Sequence, residues 1–211
     1  VHKTLPLSAR AMYYMGKYYT LTDSIEKANN CLEQAVELAK VHSDVETECL
    51  STYALSKNER FFDLLKAESL AAYATELYTS LNCKDTINWV CYMLNEMQAS
   101  AYNKHIEKAL LIGDKALKLA CQKGDSSIIS LVFQDISFVY YHAGKPDSAL
   151  QYSKLAYIYN ETKDFSLKLS LANDYIYADS LVQAKNILRE LDAEGKKVRN
   201  YNKFYSLLML S

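Results

Sequence analysis

The segment that decides the fold is Ile136–Ala156, ISFVYYHAGKPDSALQYSKLA, which predicts two helices joined by a tight turn. Ile136 and Tyr140 stand four residues apart, so both side chains lie on one face of the first helix. Gly144 can adopt the left-handed conformation that ends a helix, and Pro146 suits the first turn of the next one. A hairpin of this size cannot bury its apolar stripe alone, so the segment predicts neighbouring units of the same kind.

Small residues recur along the chain at the spacing expected of repeated hairpins. The anchor alanines, one early in each second helix and 35 to 42 residues apart, are Ala28, Ala67, Ala109, Ala149 and Ala184. A small or apolar residue comes seven positions after each of them, at Ala35, Ala74, Ala116, Ala156 and Leu191. Tyrosines that should fill the core between the helices stand nine positions before three of the anchors, at Tyr19, Tyr140 and Tyr175. The chain is therefore predicted to contain five copies of one helical hairpin.

The first helices add a large residue followed by a small one, as in Met15-Gly16 and Leu171-Ala172, with a tyrosine three residues later. Together with Gly or Asp at the turn and the spaced alanines, this pattern resembles the tetratricopeptide repeat (TPR) family in its bacterial form. The resemblance implies an all-α fold, a right-handed superhelical α-solenoid of about five TPR-like helix-turn-helix repeats plus a further C-terminal helix. Repeats one, four and five carry the whole pattern, whereas repeats two and three keep only that of the second helix.

The resemblance covers nearly the whole chain and predicts a single TPR-like domain over residues 1–211. The five repeats are expected at about 8–42, 43–81, 85–123, 125–162 and 164–195, and the extra helix at 196–211. Ser43 and Glu46 have the spacing of a capping box, which predicts the start of the third helix at Ser43. The chain ends in an apolar stretch without a cap, and we expect the natural protein to continue beyond it.

Composition argues against several classes of protein and partner. Half of the 211 residues are hydrophobic and only 5 Gly and 2 Pro interrupt them, which fits helices with short turns. The formal net charge of −1 offers no electrostatic attraction to nucleic acid. No apolar run approaches the roughly 20 residues that span a bilayer. We therefore expect neither nucleic acid nor membrane as a partner of this region, whether it lies in the cytoplasm or in the cell envelope.

The sequence contains no catalytic or metal-binding motif. It lacks a Gly-rich phosphate loop, a GxSxG elbow, an HExxH pair and the Cys-His spacing of a zinc site. The four histidines, His2, His42, His105 and His142, are far apart. The prediction is therefore no enzymatic activity, no cofactor and no metal. An active site built around His142 by distant residues stays an alternative, and it requires a carboxylate within hydrogen-bonding reach of that ring.

Tyrosine is the one residue type that is unusually frequent, with 18 residues in the chain. Its side chain combines contact area with a hydrogen-bonding group at low entropic cost, which suits a recognition surface. In the TPR family the first helices line a concave face, so the resemblance implies a partner-binding groove on that face. The groove residues that it implies are Arg10, Tyr13, Lys17, Arg60, Tyr102, Gln134, Phe138, Tyr141, His142, Asn173 and Tyr177.

The groove positions also indicate whether an acidic chaperone peptide is a ligand. TPR proteins that bind the acidic C-terminal peptides of chaperones hold them with Lys and Asn side chains on the concave face. Tyr13 and Lys17 stand where Lys and Asn would be expected here, and Ser56 replaces the second Asn. Thr52 belongs to the same implied face. Because the sequence departs from this clamp, we do not expect it to bind chaperone tails.

The leading functional hypothesis is a non-enzymatic scaffold for protein–protein interaction that binds a peptide or a helix in its concave, aromatic-rich groove. The alternative is a sensory or regulatory repeat domain of a larger bacterial envelope protein or transcriptional regulator. A second copy of the chain is a further candidate partner, because the C-terminal end would expose apolar side chains. These side chains are Phe204, Leu207, Leu208 and Leu210.

Overall fold

The structure, a computed structural model, describes residues 8–81 and 85–193. These residues form ten α-helices and contain no β-strand, which confirms the all-α fold class. The helices are α1 (Ala9–Leu21), α2 (Ile25–Val41), α3 (Val45–Glu59), α4 (Leu64–Ser80), α5 (Thr86–Tyr102), α6 (Ile106–Lys123), α7 (Ser126–His142), α8 (Pro146–Tyr159), α9 (Phe165–Tyr177) and α10 (Leu181–Ala193). None of them is long and apolar enough to cross a membrane. The extra helix predicted at 196–211, with its apolar end, lies outside the described residues.

The helices pack in chain order within two compact units, unit 1 ending at Leu119 and unit 2 beginning at Ala120. In unit 1, each helix from α1 to α4 packs against the next helix along the chain, and α3 also contacts α1 and α5. In unit 2, α7 packs against α8, α8 against α9, and α9 against α10. Because short turns join the paired helices, each unit is a stack of antiparallel hairpins. That residues 1–211 form one domain stays a prediction.

Aspartates fix the starts of five helices. Each carboxylate accepts a hydrogen bond from a backbone N–H two or three residues later, one of the donors that a first helical turn leaves unpaired. These residues are Asp44, Asp63, Asp85, Asp125 and Asp164. The predicted capping box of Ser43 and Glu46 is wrong, because Ser43 has a φ of 55° and lies in the preceding turn. Asp44 caps the helix instead, with the Thr47 N–H donating to Asp44 Oδ1 at 3.1 Å.

The anchor alanines lie in the core, as predicted. All five are 0% exposed, and so are the residues seven positions after them. A helix that buries two small side chains two turns apart can lie close to its partner, because no long side chain separates the two backbones there. The spacing of these residues therefore sets where the paired helices meet.

The tyrosines nine positions before the anchors fill space between helices. Tyr19 packs against the buried core cluster around Leu32. Tyr140 stacks on Tyr152, with ring centroids 5.3 Å apart and planes 14° from parallel. Tyr175 is half-buried at the equivalent place in repeat five. These placements confirm the role predicted for Tyr19 and Tyr140, whereas the core role of Tyr175 stays a prediction.

Repeats two and three use a different contact at this position, where they carry Asn58 and Ser100. Both side chains are buried, and each is hydrogen-bonded to the residue directly after the preceding anchor alanine. Asn58 Nδ2 donates to Asn29 Oδ1 at 2.9 Å, and Ser100 Oγ donates to Glu68 Oε1 at 2.9 Å. At this position, repeats two and three thus have a polar pair between successive hairpins of unit 1, whereas Tyr140 packs within its own hairpin. This exchange explains why the sequence pattern of the first helix is incomplete in these two repeats.

Gly16 lies where α1 comes close to α2. A Cβ atom at this position would stand 2.6 Å from Leu32 Cγ and 3.2 Å from the Ala28 carbonyl oxygen. Leu32 is 0% exposed, so its side chain has no open space to move into. The small residue of the sequence pattern is therefore a steric requirement in this hairpin.

Gly16→Ala is expected to destabilise the protein even though alanine is the better helix former. Helix propensity favours the alanine by about 1 kcal/mol, whereas overpacking of a core typically costs about 1–3 kcal/mol. The added carbon would meet both a fully buried side chain and a backbone oxygen, so the upper half of that cost applies. We therefore expect a net loss of about 1–2 kcal/mol in the free energy of unfolding, measured by urea titration. Asn30→Ala, an exposed substitution on α2, serves as the control and should change this free energy by less than about 0.5 kcal/mol. A Gly16→Ala protein as stable as the parent would contradict the steric argument.

Candidate functional site

Four aromatic side chains of unit 2 lie together on α7 and α9. We call them the aromatic cluster: Phe138, Tyr141, His142 and Tyr177. Ring centroids are 4.4 Å apart for Phe138 and His142, 5.6 Å for Tyr141 and His142, and 4.6 Å for Tyr141 and Tyr177. These are the separations of aromatic pairs in contact. Four of the predicted groove residues therefore form one connected surface.

Helical spacing and the packing of two first helices produce this cluster. Phe138, Tyr141 and His142 stand at positions i, i+3 and i+4 of α7, so their side chains share a face. The Tyr177 hydroxyl donates to the Tyr141 carbonyl oxygen at 3.5 Å, which joins α9 to α7. Tyr141 is 49% exposed and Tyr177 is 37% exposed. Both rings therefore keep surface that a partner can cover.

A buried polar contact joins the helices that carry and support the cluster. Asp174 of α9 accepts hydrogen bonds from Ser137 Oγ of α7, at 2.8 Å, and from Ser153 Oγ of α8. All three side chains are buried. Burial raises the pKa of Asp174, and the two hydroxyl hydrogen bonds oppose that rise only in part. Because each of the three residues lies on a different helix, the contact holds α7, α8 and α9 in register.

Asp174→Asn is expected to be at least as stable as the parent at pH 7. With its raised pKa, the folded protein holds a proton on Asp174 more tightly than the unfolded chain does. The parent therefore loses stability as the pH rises above the unfolded value of about 3.9. Asparagine cannot ionise, and its amide can still bond to both serines. Urea titrations between about pH 3.5 and pH 7 should show the advantage of the variant growing with pH.

Asp174→Ala is the control for this experiment. It leaves two buried hydroxyl groups without their acceptor, so it should be less stable than Asp174→Asn by about 1–3 kcal/mol at every pH, because neither variant can ionise. An advantage of Asp174→Asn that shrinks with rising pH would show that the carboxylate is stabilised in its ionised form, contrary to the inference.

The predicted groove residues of unit 1 are spread over α1, the turn after α3 and the end of α5. Arg10 pairs with Glu46 of α3 at 3.4 Å, and both side chains are more than half exposed. The Lys17 amine lies 5.7 Å from the centre of the Tyr13 ring. These contacts are local to α1 and its immediate neighbours, and surface ion pairs of this kind contribute little stability.

Three residues placed on the groove by the sequence lie in the interior of unit 1 instead. Tyr13 is 8% exposed and belongs to the core cluster that contains Leu32. Thr52 and Ser56 are buried as well. Tyr13 is thus unavailable to a partner in this structure, because α1 turns that face of the helix toward the neighbouring helices. Of the other residues predicted there, Arg60 is hydrogen-bonded to the Gln98 side chain.

Tyr102 of unit 1 is half-buried, and the remaining predicted residues, Gln134 and Asn173, flank the aromatic cluster. Gln134 stands four residues before Phe138, and Asn173 stands four residues before Tyr177, so each amide lies one helical turn from a ring. Gln134 is half-buried and Asn173 is exposed. The surface that the structure assembles from predicted residues is therefore aromatic, with an amide beside it on each helix.

The buried residues that support the cluster are not identifiable from the sequence pattern. Ser137 and Ser153 fall on close-packed faces as small residues, and nothing in their spacing points to a shared carboxylate. Asp174 has apolar or aromatic neighbours on both sides along much of α9, in FSLKLSLANDYIY. An acidic residue in so apolar a helix is the one signal that points to a buried polar contact.

Unit 1 contains a separate open cleft of about 360 Å³ among α3, α4 and α5. It is lined by Glu46, Cys49, Leu50, Tyr78, Leu81, Asn88 and Tyr92. The Tyr78 and Tyr92 rings stack at 4.5 Å, and the Cys49 thiol donates to the Ala74 carbonyl oxygen at 3.4 Å. Burial raises the pKa of the Cys49 thiol, which makes it a poor nucleophile. The cleft is therefore a packing feature with a mainly apolar wall, without a reactive group.

One histidine of unit 1, His105, contacts the carboxylate of Glu68. Glu68 accepts hydrogen bonds from the side chains of Ser100, Asn103, His105 and Lys108, at 2.7–3.1 Å. Burial alone would raise the pKa of Glu68, but these four donors outweigh it and lower the pKa to about 2. A carboxylate with every oxygen engaged cannot act as a base. The cluster therefore joins α4 to α5 and α6 instead of forming a catalytic site.

Glu68→Gln is expected to remove a source of acid sensitivity. Because the pKa of Glu68 is lowered in the folded state, its stabilising contribution is present above pH 4.5 and is lost as the pH falls towards 2. The neutral amide cannot titrate, so urea titrations should show a shallower loss of stability across this interval. The variant should also be less stable than the parent at pH 7, because Lys108 loses its charged partner. An unchanged acid profile would argue against the contact.

Metal binding has no support in the part of the chain that the structure describes. No three His, Cys, Asp or Glu side chains among residues 8–81 and 85–193 are placed to hold a metal ion. His142 is flanked by the rings of Phe138 and Tyr141. Its immediate surroundings thus fit an aromatic contact surface.

Comparison with known proteins rests on the fold. No protein-family model matches the chain, and no curated protein matches it. A solved structure of TPR-like repeats from a putative kinesin light chain of Podosopora anserina matches with a TM-score of 0.70 and 12% identity. That match covers 92% of this chain and 100% of the other. The chain therefore has a TPR-like helical-repeat fold, as its sequence predicted.

Two further matches are structures solved with a peptide. NprR in complex with its cognate peptide NprX has a TM-score of 0.69 and 17% identity, over 95% of this chain and 59% of that one. The Rap conjugation gene regulator of the plasmid pLS20, in complex with the Phr* peptide, has a TM-score of 0.68 and 14% identity. The match covers 99% of this chain and 62% of the regulator. At these identities the likeness concerns the fold alone.

Proposed function

We propose that this chain is a non-enzymatic protein–protein interaction scaffold that binds a peptide segment of a partner on the aromatic cluster of α7 and α9. The observation that carries the proposal is the set of ring contacts that joins Phe138, Tyr141, His142 and Tyr177 into one partly exposed surface. Peptide complexes of NprR and of the pLS20 regulator, which share the fold, support this use of it.

The energetics of such a surface favour a peptide anchored by a few side chains. Aromatic residues bury about 150–250 Å² each and dominate the binding energy of many interfaces. The rings of the cluster are already ordered by contact with one another, so little conformational entropy is lost when a ligand covers them. Hydrogen bonding through Ser137, Ser153 and Asp174 keeps the two helices in place beneath. The cluster is thus preorganised for binding.

Selection from a displayed library of random 12-residue peptides tests this proposal. We expect the parent protein to enrich peptides whose affinity falls at least tenfold with the Tyr141→Ala, Tyr177→Ala double variant. A loss of this size is about 1.4 kcal/mol, more than the roughly 1 kcal/mol that most interface residues do not exceed when truncated. Affinities are measured by fluorescence anisotropy with synthetic copies of the enriched peptides. Circular dichroism and thermal unfolding establish that the variant keeps its helices.

The matched control is Tyr14→Ala, Tyr18→Ala, which removes two exposed tyrosines from α1 of unit 1. These side chains are 58% and 62% exposed, so the control removes a similar amount of accessible aromatic surface. It should leave the affinities unchanged. Peptides that bind both double variants as tightly as the parent would overturn the assignment of the site, and failure to enrich any peptide would count against the proposed function.

The second candidate function is a regulatory repeat domain of a larger protein. It is favoured by the match to a conjugation gene regulator, of whose length this chain spans 62%. Both candidates use the same peptide-binding surface, and they differ in the consequence of peptide binding. A peptide that changes the thermal unfolding temperature of the isolated chain without changing its association state would fit a sensor; a stable complex with a whole partner protein would fit the scaffold.

A further inference from the structure

The two helices that form the aromatic cluster carry few charged side chains. In the 17 residues of α7, SSIISLVFQDISFVYYH, the one Asp, Glu, Lys or Arg is Asp135. In the 13 residues of α9, FSLKLSLANDYIY, the charged residues are Lys168 and Asp174. Asp135 and Asp174 are both only 7% exposed. The accessible surface of these two helices is therefore almost free of ionised groups.

The charges of α9 and of the turns that follow α7 and α9 do not give this surface a net sign. Lys168 precedes Tyr177 by nine residues, which is two and a half helical turns, so the two side chains project from opposite sides of α9. The turns after α7 and α9 contain one exposed charge each, Lys145 and Asp179, of opposite sign. Neither sign of charge on a ligand would thus find a matching field at the rings.

The first helix of unit 1, α1, exposes more charge than α7 and α9 do. α1 carries Arg10 and Lys17, and both side chains are exposed. The lack of charge around the aromatic cluster is consequently a property of α7 and α9, since another first helix of the same chain displays two cations.

We propose that the segment bound by the aromatic cluster is an uncharged peptide of a partner protein with aromatic or aliphatic side chains, and that the cluster rejects acidic and basic peptides. This inference rests on the proposed function and specifies its ligand. Apolar side chains gain about 25 cal/mol for each Å² that they bury against the rings. A carboxylate or ammonium group placed there would lose hydration without gaining an opposite charge, which is unfavourable. Gln134 and Asn173 supply uncharged donors and acceptors for the polar groups of the peptide.

Three displayed libraries of equal length test the charge preference of the parent protein. One contains only uncharged residues, the second has two fixed aspartates, and the third has two fixed lysines. We expect at least tenfold greater enrichment of uncharged peptides. Their affinities should change less than about twofold between low and high salt, because screening acts only on interactions between charges. Enrichment of acidic or basic peptides, or affinities that fall steeply with salt, would overturn the inference.

The variant Asn173→Lys, which adds one cation beside the rings, tests whether charge at the cluster sets the peptide preference. This variant should bind peptides with two aspartates at least tenfold more tightly than the parent does, and that gain should weaken as salt increases. The matched control is Gln151→Lys, which adds the same charge at an exposed position of α8. The control should leave peptide preference unchanged. A gain of acidic peptides by both variants would show a general charge effect and refute a preference set at the cluster.

Failure of this inference is distinguishable from failure of the proposed function. Peptide binding that is indifferent to Tyr141→Ala, Tyr177→Ala would refute the cluster as the binding site. Binding that depends on these two tyrosines but favours charged peptides would leave the proposed function intact and refute the uncharged ligand alone.

Discussion

Close packing of paired helices at fully buried alanines is the constraint on which the rest of this structure depends. Each hairpin buries two small residues seven positions apart, except for Leu191 in the last one, and none of these side chains is exposed. Gly16 shows how tight the approach becomes, because even a single added carbon would collide with Leu32. The close approach brings the tyrosines and hydrogen-bonding groups of neighbouring helices within reach of one another.

Successive hairpins are joined by polar pairs in unit 1 and by a buried carboxylate in unit 2. Glu68 and Asp174 show that burial alone does not decide the behaviour of such a group. Lys108 and three other donors hold Glu68 in its ionised form, and its pKa is about 2. Asp174 receives only hydroxyl hydrogen bonds, and its pKa is raised. The balance between burial, which raises the pKa, and the hydrogen bonds to the carboxylate, which lower it, therefore sets the direction of each shift.

The aromatic cluster arises from helical periodicity within α7 and from the packing of α9 beside it. Helical periodicity places Phe138, Tyr141 and His142 on one face of α7, which the sequence was sufficient to predict. Tyr177 joins them because α9 packs against the same hairpin, held by Ser137, Ser153 and Asp174. The burial of the two acidic side chains leaves an accessible surface of rings and amides. The proposed preference for uncharged ligands rests on the chemistry of that surface.

The sequence by itself determined the all-α repeat fold, the five hairpins and the tyrosines that fill their cores, because helical periodicity and small-residue spacing are local properties of a chain. It also identified the residues of the aromatic cluster as candidates. Only the tertiary structure decided that Tyr13 is buried while Tyr141 is exposed, that Asp44 rather than Ser43 caps α3, and that Asn58 and Ser100 replace core tyrosines with hydrogen bonds. The burial of Tyr13 and the hydrogen bonds of Asn58 and Ser100 depend on which side chains of distant segments meet, and the cap at Asp44 depends on the conformation of the turn before α3. Residue spacing along one helix determines neither of them.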